Sequence, residues 1–202
     1  MYRFVKRLMD VAVSLVIIIS CAPILLLVAV FVWGCDRGPI LYRARRVGLR
    51  GRPFHMLKFR TMVLNADKFG ASSTANDDRR ITRIGKFLRQ YKLDELPQLF
   101  NVVSGSMSLV GPRPQVQWAV DMYSAKERLV LEVQPGITDF ASLHFPNEGE
   151  ILKGSVDPDR DYMEKIHPHK MRLALLYVEE QSFATDVKIL FMTVLTVLRW
   201  RV

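Results

Sequence analysis

The chain has 202 residues, room for one domain with an appendage, and half of them are hydrophobic. Its formal net charge of +9 points to an anionic partner, whether nucleic acid, an anionic membrane surface or a phosphorylated substrate. Its only cysteines, Cys21 and Cys35, lie in or beside an apolar segment; that excludes a disulfide framework and a cysteine zinc site and favours a reducing compartment.

Residues 11–35 carry no charge, long enough to cross a bilayer as a helix. The run is too long for a signal peptide and has no small-residue cleavage site. Arg3, Lys6 and Arg7 precede it; Arg37, Arg43, Arg45 and Arg46 follow it. Positive charge marks the cytoplasmic side, and here both flanks claim it. Pro23 stands at the midpoint, where it breaks or kinks a helix. A re-entrant helix-break-helix hairpin over 1–36, turning at Pro23, satisfies all three observations. An ordinary spanning helix with a tolerated proline kink is the simpler alternative. Residues 37–202 then form a small domain on the cytoplasmic side.

Between Asp36 and Asp67 there is no acidic residue. Short apolar alternation at 40–42 and 54–59, separated by Gly48 and Gly51, predicts a β-hairpin. Most of its arginines suit non-specific attraction to anionic lipid. Lys58 and Arg60 alternate with Leu57 and Phe59, so they share a face and suit phosphate binding. Residues 64–80 are polar and read as a mobile loop. Over 81–91, Ile81, Ile84, Phe87 and Leu88 fall on one helical face.

Asp94 and Glu95 come next, just before Pro97. Leu96, Leu99, Phe100 and Val103 then recur at helical spacing. The acids are therefore expected at a helix start, where the dipole favours their ionised forms. Capping by Asp94 is the ordinary reading; a nucleophile or metal ligand is the other. Arg113 lies between Pro112 and Pro114, which restrict its backbone and pre-order one guanidinium. Pro135-Gly136-Ile137-Thr138 is a tight turn. Residues 146–169 read as irregular. His144, His167 and His169 lack metal-ligand spacing and are taken as surface or loop residues. Residues 186–202 are too short to span a bilayer. They suit a helix lying in the membrane interface, with Arg199, Trp200 and Arg201 at headgroup level; a core helix is the alternative.

Several of these pieces together carry a resemblance: Lys6-Arg7-Leu8-Met9-Asp10, Gly38-Pro39-Ile40, Arg46-Val47-Gly48, Lys58-Phe59-Arg60-Thr61-Met62, Asp94-Glu95-Leu96-Pro97-Gln98-Leu99-Phe100-Asn101-Val102, the Gly105-to-Pro114 stretch and Pro135-Gly136-Ile137-Thr138. In that order, over nearly the whole chain, the sequence resembles the bacterial sugar transferases, the monotopic phosphoglycosyl transferases. The resemblance implies a helix-rich α+β monotopic membrane protein with amphipathic interfacial helices, at the cytoplasmic face of the bacterial inner membrane. It implies transfer of a sugar 1-phosphate from a UDP-sugar to polyprenyl (undecaprenyl) phosphate, with release of UMP, to begin glycoconjugate or exopolysaccharide assembly. It assigns Asp94 as the nucleophile of a ping-pong mechanism with a covalent phosphosugar intermediate. Glu95 acts beside it as base or metal ligand. Mg²⁺ is required, with Asp94 and Glu95 as its candidate ligands.

Repulsion among the anions needs offsetting, and Lys58, Arg60, Arg89 and Arg113 are the candidates to bind the phosphates. Membrane lipids are a further partner, and a homo-oligomer is compatible with this reading. Nucleic acid is not expected, because no aromatic–basic base-stacking pattern is present. The competing reading is a non-catalytic, basic, membrane-anchored lipid-binding protein; a metal-dependent phosphohydrolase is a third. Three positions depart from the family pattern: Ala22 where serine is common before the proline, Asp139 where glycine is common, and Ala174 where aspartate is common.

Overall fold

The apolar N-terminal run folds as one helix, α1 (Tyr2–Asp36), which continues through Pro23. Pro23, where the break is expected, lies inside this helix with no non-helical residue beside it. At about 1.5 Å per residue, α1 is long and apolar enough to cross a membrane. It stops at Arg37, which adopts left-handed φ 54° and donates its N–H to the Trp33 carbonyl. The computed structural model describes residues 1–68, 70–145 and 147–199.

After α1 the basic stretch forms the expected hairpin, β1 (Leu41–Val47) antiparallel to β2 (Pro53–Phe59). The connection turns through Arg50 and Gly51, both at positive φ. Then come α2 (Arg83–Gln90), α3 (Gln98–Ser104) and β3 (Ser108–Val110). The helix expected over 81–91 starts at Arg83 because the Thr82 hydroxyl accepts from the Gly85 N–H at 2.9 Å and caps it. Next are α4 (Gln117–Asp121) and β4 (Gly136–Thr138), which pairs in parallel with β3. The C-terminal part holds α5 (Phe140–His144), α6 (Glu148–Ile151), α7 (Pro158–Asp161), a π-turn at Tyr162–Ile166, α8 (His167–Glu180) and α9 (Phe183–Arg199). Residues 146–169, read as irregular, therefore contain short helices; Asp157 starts one by accepting from the Arg160 N–H.

The main core joins every part of the chain. Ala44 and Met56 of the hairpin pack with Leu99 and Val102 of α3, Leu109 and Val110 of β3, Tyr177 of α8 and Ile189 of α9. Each large side chain so buried contributes about 1.5–3 kcal/mol. Val13, Ile17 and Ile18 of α1 close over this cluster. The other end of α1 packs separately: Val28 and Val32 meet Phe59 and Leu88. So both ends of one long helix dock on the same domain, while Val16, Ile19, Leu26, Leu27 and Val30 stay exposed along its length. α9 is divided likewise. Ile189 is core, whereas Phe191, Val194 and Val197 are exposed. Trp200, Arg201 and the side chain of Arg199 lie outside the described residues.

A fully buried carboxylate locks the ends together. Asp186 accepts from Lys6 Nζ at 2.8 Å, the Tyr2 hydroxyl at 2.9 Å and the Tyr177 hydroxyl at 2.7 Å. Lys6 also donates to the Val110 carbonyl at 2.9 Å, and Asp10 accepts from the Leu109 N–H at 3.1 Å. α1 thus holds β3 from one side.

The 64–80 segment is not the free loop its polarity suggested. Asp159 accepts from the backbone of Ser72 and Ser73, Asn76 bonds Asn147 and Glu150, and Arg80 donates to the carbonyls of Ala66 and Ala71. Its polar side chains serve as internal fasteners.

Replacing Asp186 by Ala strands the buried Lys6 ammonium and two hydroxyls. We expect a loss of about 3–5 kcal/mol in denaturant unfolding of the detergent-solubilised protein.

Candidate active site

Four segments converge on the acidic pair, and each is held by a specific contact. Lys92 adopts left-handed φ 55° directly after α2, a conformation costly for a residue with a Cβ. That turns the chain into a 3₁₀ turn at Leu93–Glu95. α3 follows with Pro97 as its N-cap and no side chain bonding there. Asp94 therefore does not cap α3, as the ordinary reading had it; the acids occupy a separate turn ahead of the helix.

The strand carrying Lys58 is fixed against α3 by Asn101. Its amide donates to the His55 carbonyl at 2.9 Å, and its oxygen accepts from the Leu57 N–H at 2.8 Å. In the hairpin register Lys58 pairs with Tyr42, and Arg46 with Phe54. Lys58, Met56, Arg46 and Ala44 consequently share the face turned to α3. Lys58 Nζ meets Glu95 Oε1 at 2.9 Å.

Arg113 reaches the same oxygen. Its guanidinium pairs with Glu95 Oε1 and donates to the Ile137 carbonyl at 3.1 Å. The loop that presents it is pinned where β3 meets β4. Gly111 N–H donates to the Thr138 carbonyl and Gly136 N–H to the Pro112 carbonyl, both at 3.0 Å. The two backbones approach so closely that a Cβ on Gly136 would collide with Gly111.

The two carboxylates differ sharply. Burial works against charge on Glu95, but Arg113, Lys58 and Lys92 outweigh it and hold the carboxyl far below its ordinary range. Glu95 is thus locked as an anion. Asp94 is buried, 6 % exposed, and makes no side-chain hydrogen bond among the described residues. Its burial raises the carboxyl, against the pull of Lys58, Arg89 and Lys92. Arg89 donates Nε to the Thr61 hydroxyl at 2.9 Å, and burial lowers its guanidinium. Close by, both polar atoms of the fully buried Gln98 amide lack a partner.

Asp94, Glu95, Lys58, Arg89 and Arg113 are therefore gathered around one point. Arg60 is not. It lies just past β2 and clasps Asp36 at the end of α1, so it ties helix to hairpin instead of facing the acids. Sequence reasoning passed over Arg46 and Lys92. Arg46 lies within electrostatic reach of Arg113, and its shared parity with Lys58 in the hairpin was the available signal. Lys92 had none, because a left-handed lysine leaves no mark in composition. Among the histidines, His167 is buried, contrary to the surface reading, whereas His144 and His169 are exposed.

Among the described residues no three metal-ligating side chains gather into a cage for an ion. Mg²⁺ does not need one: it keeps waters and takes one or two carboxylates plus substrate phosphates. The buried, unbonded Asp94 carboxylate fits that demand. Glu95 fits it less well, since two cations occupy its Oε1. Asp139 and Ala174, the departures noted above, line one cleft beside Arg113.

The family model of the bacterial sugar transferases matches residues 1–200. This chain belongs to the bacterial sugar transferase family. It is 38% identical over 192 residues to a UDP-glucose:undecaprenyl-phosphate glucose-1-phosphate transferase of Klebsiella pneumoniae, covering 94% of this chain and 39% of that one. It is 34% identical over 200 residues to a UDP-N-acetylgalactosamine-undecaprenyl-phosphate N-acetylgalactosaminephosphotransferase of Aeromonas hydrophila, covering 98% and 44%. The chain thus spans about two fifths of the length of these curated relatives. It covers more, 83%, of the exopolysaccharide production protein ExoY of Sinorhizobium fredii, at 34% identity over 204 residues and 94% of this chain.

Glu95→Gln removes the charge that Arg113 and Lys58 share, and should cost about 3 kcal/mol at neutral pH. The folded carboxyl is lowered, so its contribution is complete above the unfolded value of 4.5 and fades as pH falls toward the folded value. Unfolding midpoints of wild type and variant should therefore stay apart at neutral pH and converge only below about pH 4.5.

Proposed function

We propose that this sugar transferase moves a sugar 1-phosphate from a UDP-sugar to polyprenyl phosphate through a covalent intermediate on Asp94. One observation carries the reading: Asp94 is a buried carboxylate with no hydrogen bond of its own, ringed by Lys58, Arg89 and Lys92. A structural carboxylate in that position would be bonded to its neighbours. An attacking one has to keep its lone pairs available.

In the first step an Asp94 oxygen attacks the β-phosphorus of the donor. The bond from that phosphorus to the bridging oxygen breaks, and UMP leaves with the electron pair. In the second step an oxygen of the lipid phosphate attacks the same phosphorus and the Asp94–phosphorus bond breaks, giving the lipid diphosphosugar and free Asp94. Lys58 and Arg89 stabilise charge on the phosphoryl oxygens. Glu95 keeps Arg113 and Lys58 at fixed positions. Mg²⁺ held by Asp94 and the diphosphate would screen repulsion between the anions.

The two substrates live in different phases, and the architecture suits both. Contacts of both ends of α1 with one domain suit an anchor kinked at Pro23 that enters and leaves on one face, with residues 37–202 at the cytoplasmic side of the inner membrane. The exposed apolar faces of α1 and α9 would then lie in lipid. Exposed Arg43 and Arg45 on β1 suit anionic headgroups.

Asp94→Asn should abolish UMP release, lowering it at least about 10³-fold, and prevent capture of a phosphosugar on the Asp94 peptide by mass spectrometry. Its stability should change the opposite way. A raised carboxyl destabilises the folded state as pH rises through its folded value, so the amide should unfold at a higher temperature at neutral pH. Full activity in Asp94→Asn would overturn the covalent mechanism.

A further inference from the structure

One face of α2 is packed and another is bare. Ile84 and Leu88 pack with Val28 and Val32 in the second half of α1. Phe87 and Tyr91 lie off that contact, 52 % and 39 % exposed, and their rings stack with centroids 4.7 Å apart. On α1 itself Leu27 and Phe31 are exposed as well. The aromatic pair thus extends the apolar surface of the anchor helix onto the domain.

That surface ends at a cation. Lys92 follows Tyr91 directly, and the next residue, Leu93, returns to the cluster around Val28 and Val32. Three residues separate Tyr91 from Asp94, so their Cα atoms lie within about 11 Å of each other. The Lys92 backbone is tied on both sides: its N–H donates to the Arg89 carbonyl at 3.2 Å, and its carbonyl accepts from the Glu95 N–H at 3.3 Å. Its side chain is exposed and makes no hydrogen bond or ion pair among the described residues. The neighbouring cations are committed. Lys58 and Arg113 pair with Glu95, Arg60 pairs with Asp36, and Arg89 is held by the Thr61 hydroxyl. Lys92 is thus the ammonium still available, within electrostatic reach of both acids. It also sits at φ 55°, where a glycine would be relaxed and a lysine is strained. A strained residue kept beside a reacting carboxylate points to use of its side chain.

A free cation at the rim of an exposed apolar surface matches a ligand with an anionic head and an apolar tail. A nucleotide sugar has the anion without the tail. We propose that Lys92 binds the phosphate of the polyprenyl acceptor and that Phe87 and Tyr91 carry the first units of its chain. The inference rests on the transferase reading above and gives the acceptor of that reaction its place. The acceptor approaches along α1, whose exposed apolar side shares the lipid with the tail, and its head arrives two residues from Asp94.

The test uses the full chain in nanodiscs with Mg²⁺. UMP release is followed while undecaprenyl phosphate is varied and, separately, while UDP-glucose, UDP-galactose, UDP-N-acetylglucosamine or UDP-N-acetylgalactosamine is varied. In a ping-pong reaction the two values of kcat/KM report the two half-reactions separately. Lys92→Gly and the double variant Phe87→Ser/Tyr91→Ser should each lower kcat/KM for undecaprenyl phosphate about tenfold or more, and that for the preferred nucleotide sugar less than about threefold. Denaturant unfolding separates function from folding. Lys92→Gly relieves the left-handed backbone and should unfold at no lower denaturant concentration than wild type; the aromatic pair is exposed, so its replacement should leave the midpoint in place. Equal loss for both substrates would make Lys92 a partner of the carboxylates alone, and loss confined to the nucleotide sugar would make it a ligand of the donor; either overturns the proposal. An unchanged acceptor constant in either variant, or a loss that follows a lowered unfolding midpoint, overturns it too. Wild type that releases no UMP from any donor defeats the transferase reading itself, and this one with it.

Discussion

Asp186 is the joint on which the molecule turns. A carboxylate removed from water is expensive to keep charged, and its cost is offset only by well-placed donors. Asp186 obtains them from residues far away in sequence, Lys6 and Tyr2 on α1 and Tyr177 on α8. Because Lys6 divides its donors between Asp186 and the Val110 carbonyl, the first turns of the apolar helix are bound to β3. β3 runs directly into the glycine-proline loop that presents Arg113, and Arg113 holds Glu95. A continuous mechanical line therefore joins the membrane-compatible helix to the carboxylate pair.

At the end of that line two adjacent acids are made unlike each other. They share a turn and much of the same positive field, yet their surroundings push them in opposite directions. Glu95 receives two direct ion pairs; Asp94 receives burial and only longer-range attraction. Pairs of titratable groups driven apart in this way divide labour in catalytic sites. Under the proposed mechanism the fixed anion organises cations and the less satisfied one meets the phosphorus.

Much of this was readable before any coordinates. The hairpin, α2 and the acidic turn each follow from local rules: alternation, a capped amphipathic helix, and acids ahead of a proline. Where reading failed, the deciding partner was distant. Arg60 has the parity of Lys58, but Asp36 at the end of α1 captures it. The polar run at 64–80 looked free because nothing local satisfies it; Asp159 and Asn147 do. Residues 146–169 have little periodicity, so the short helices there rest on single caps and on packing of Tyr162 and Ile166 with Leu152 and Ala75. Asp94 looked like a cap because chemistry and spacing allow it, and only the left-handed Lys92 displaces it by a turn.

The contact of Gly111 with Gly136 carries an implication for how such a site can diversify. Main chain lies against main chain there, leaving no room for even a methyl group, so that wall offers evolution nothing to vary. The facing surface of α8, with Lys170, Met171 and Ala174, belongs to a regular helix whose positions can change size and polarity without disturbing the backbone. Variation around Arg113 should therefore collect in such side chains while the seam of paired main chains stays a fixed reference plane.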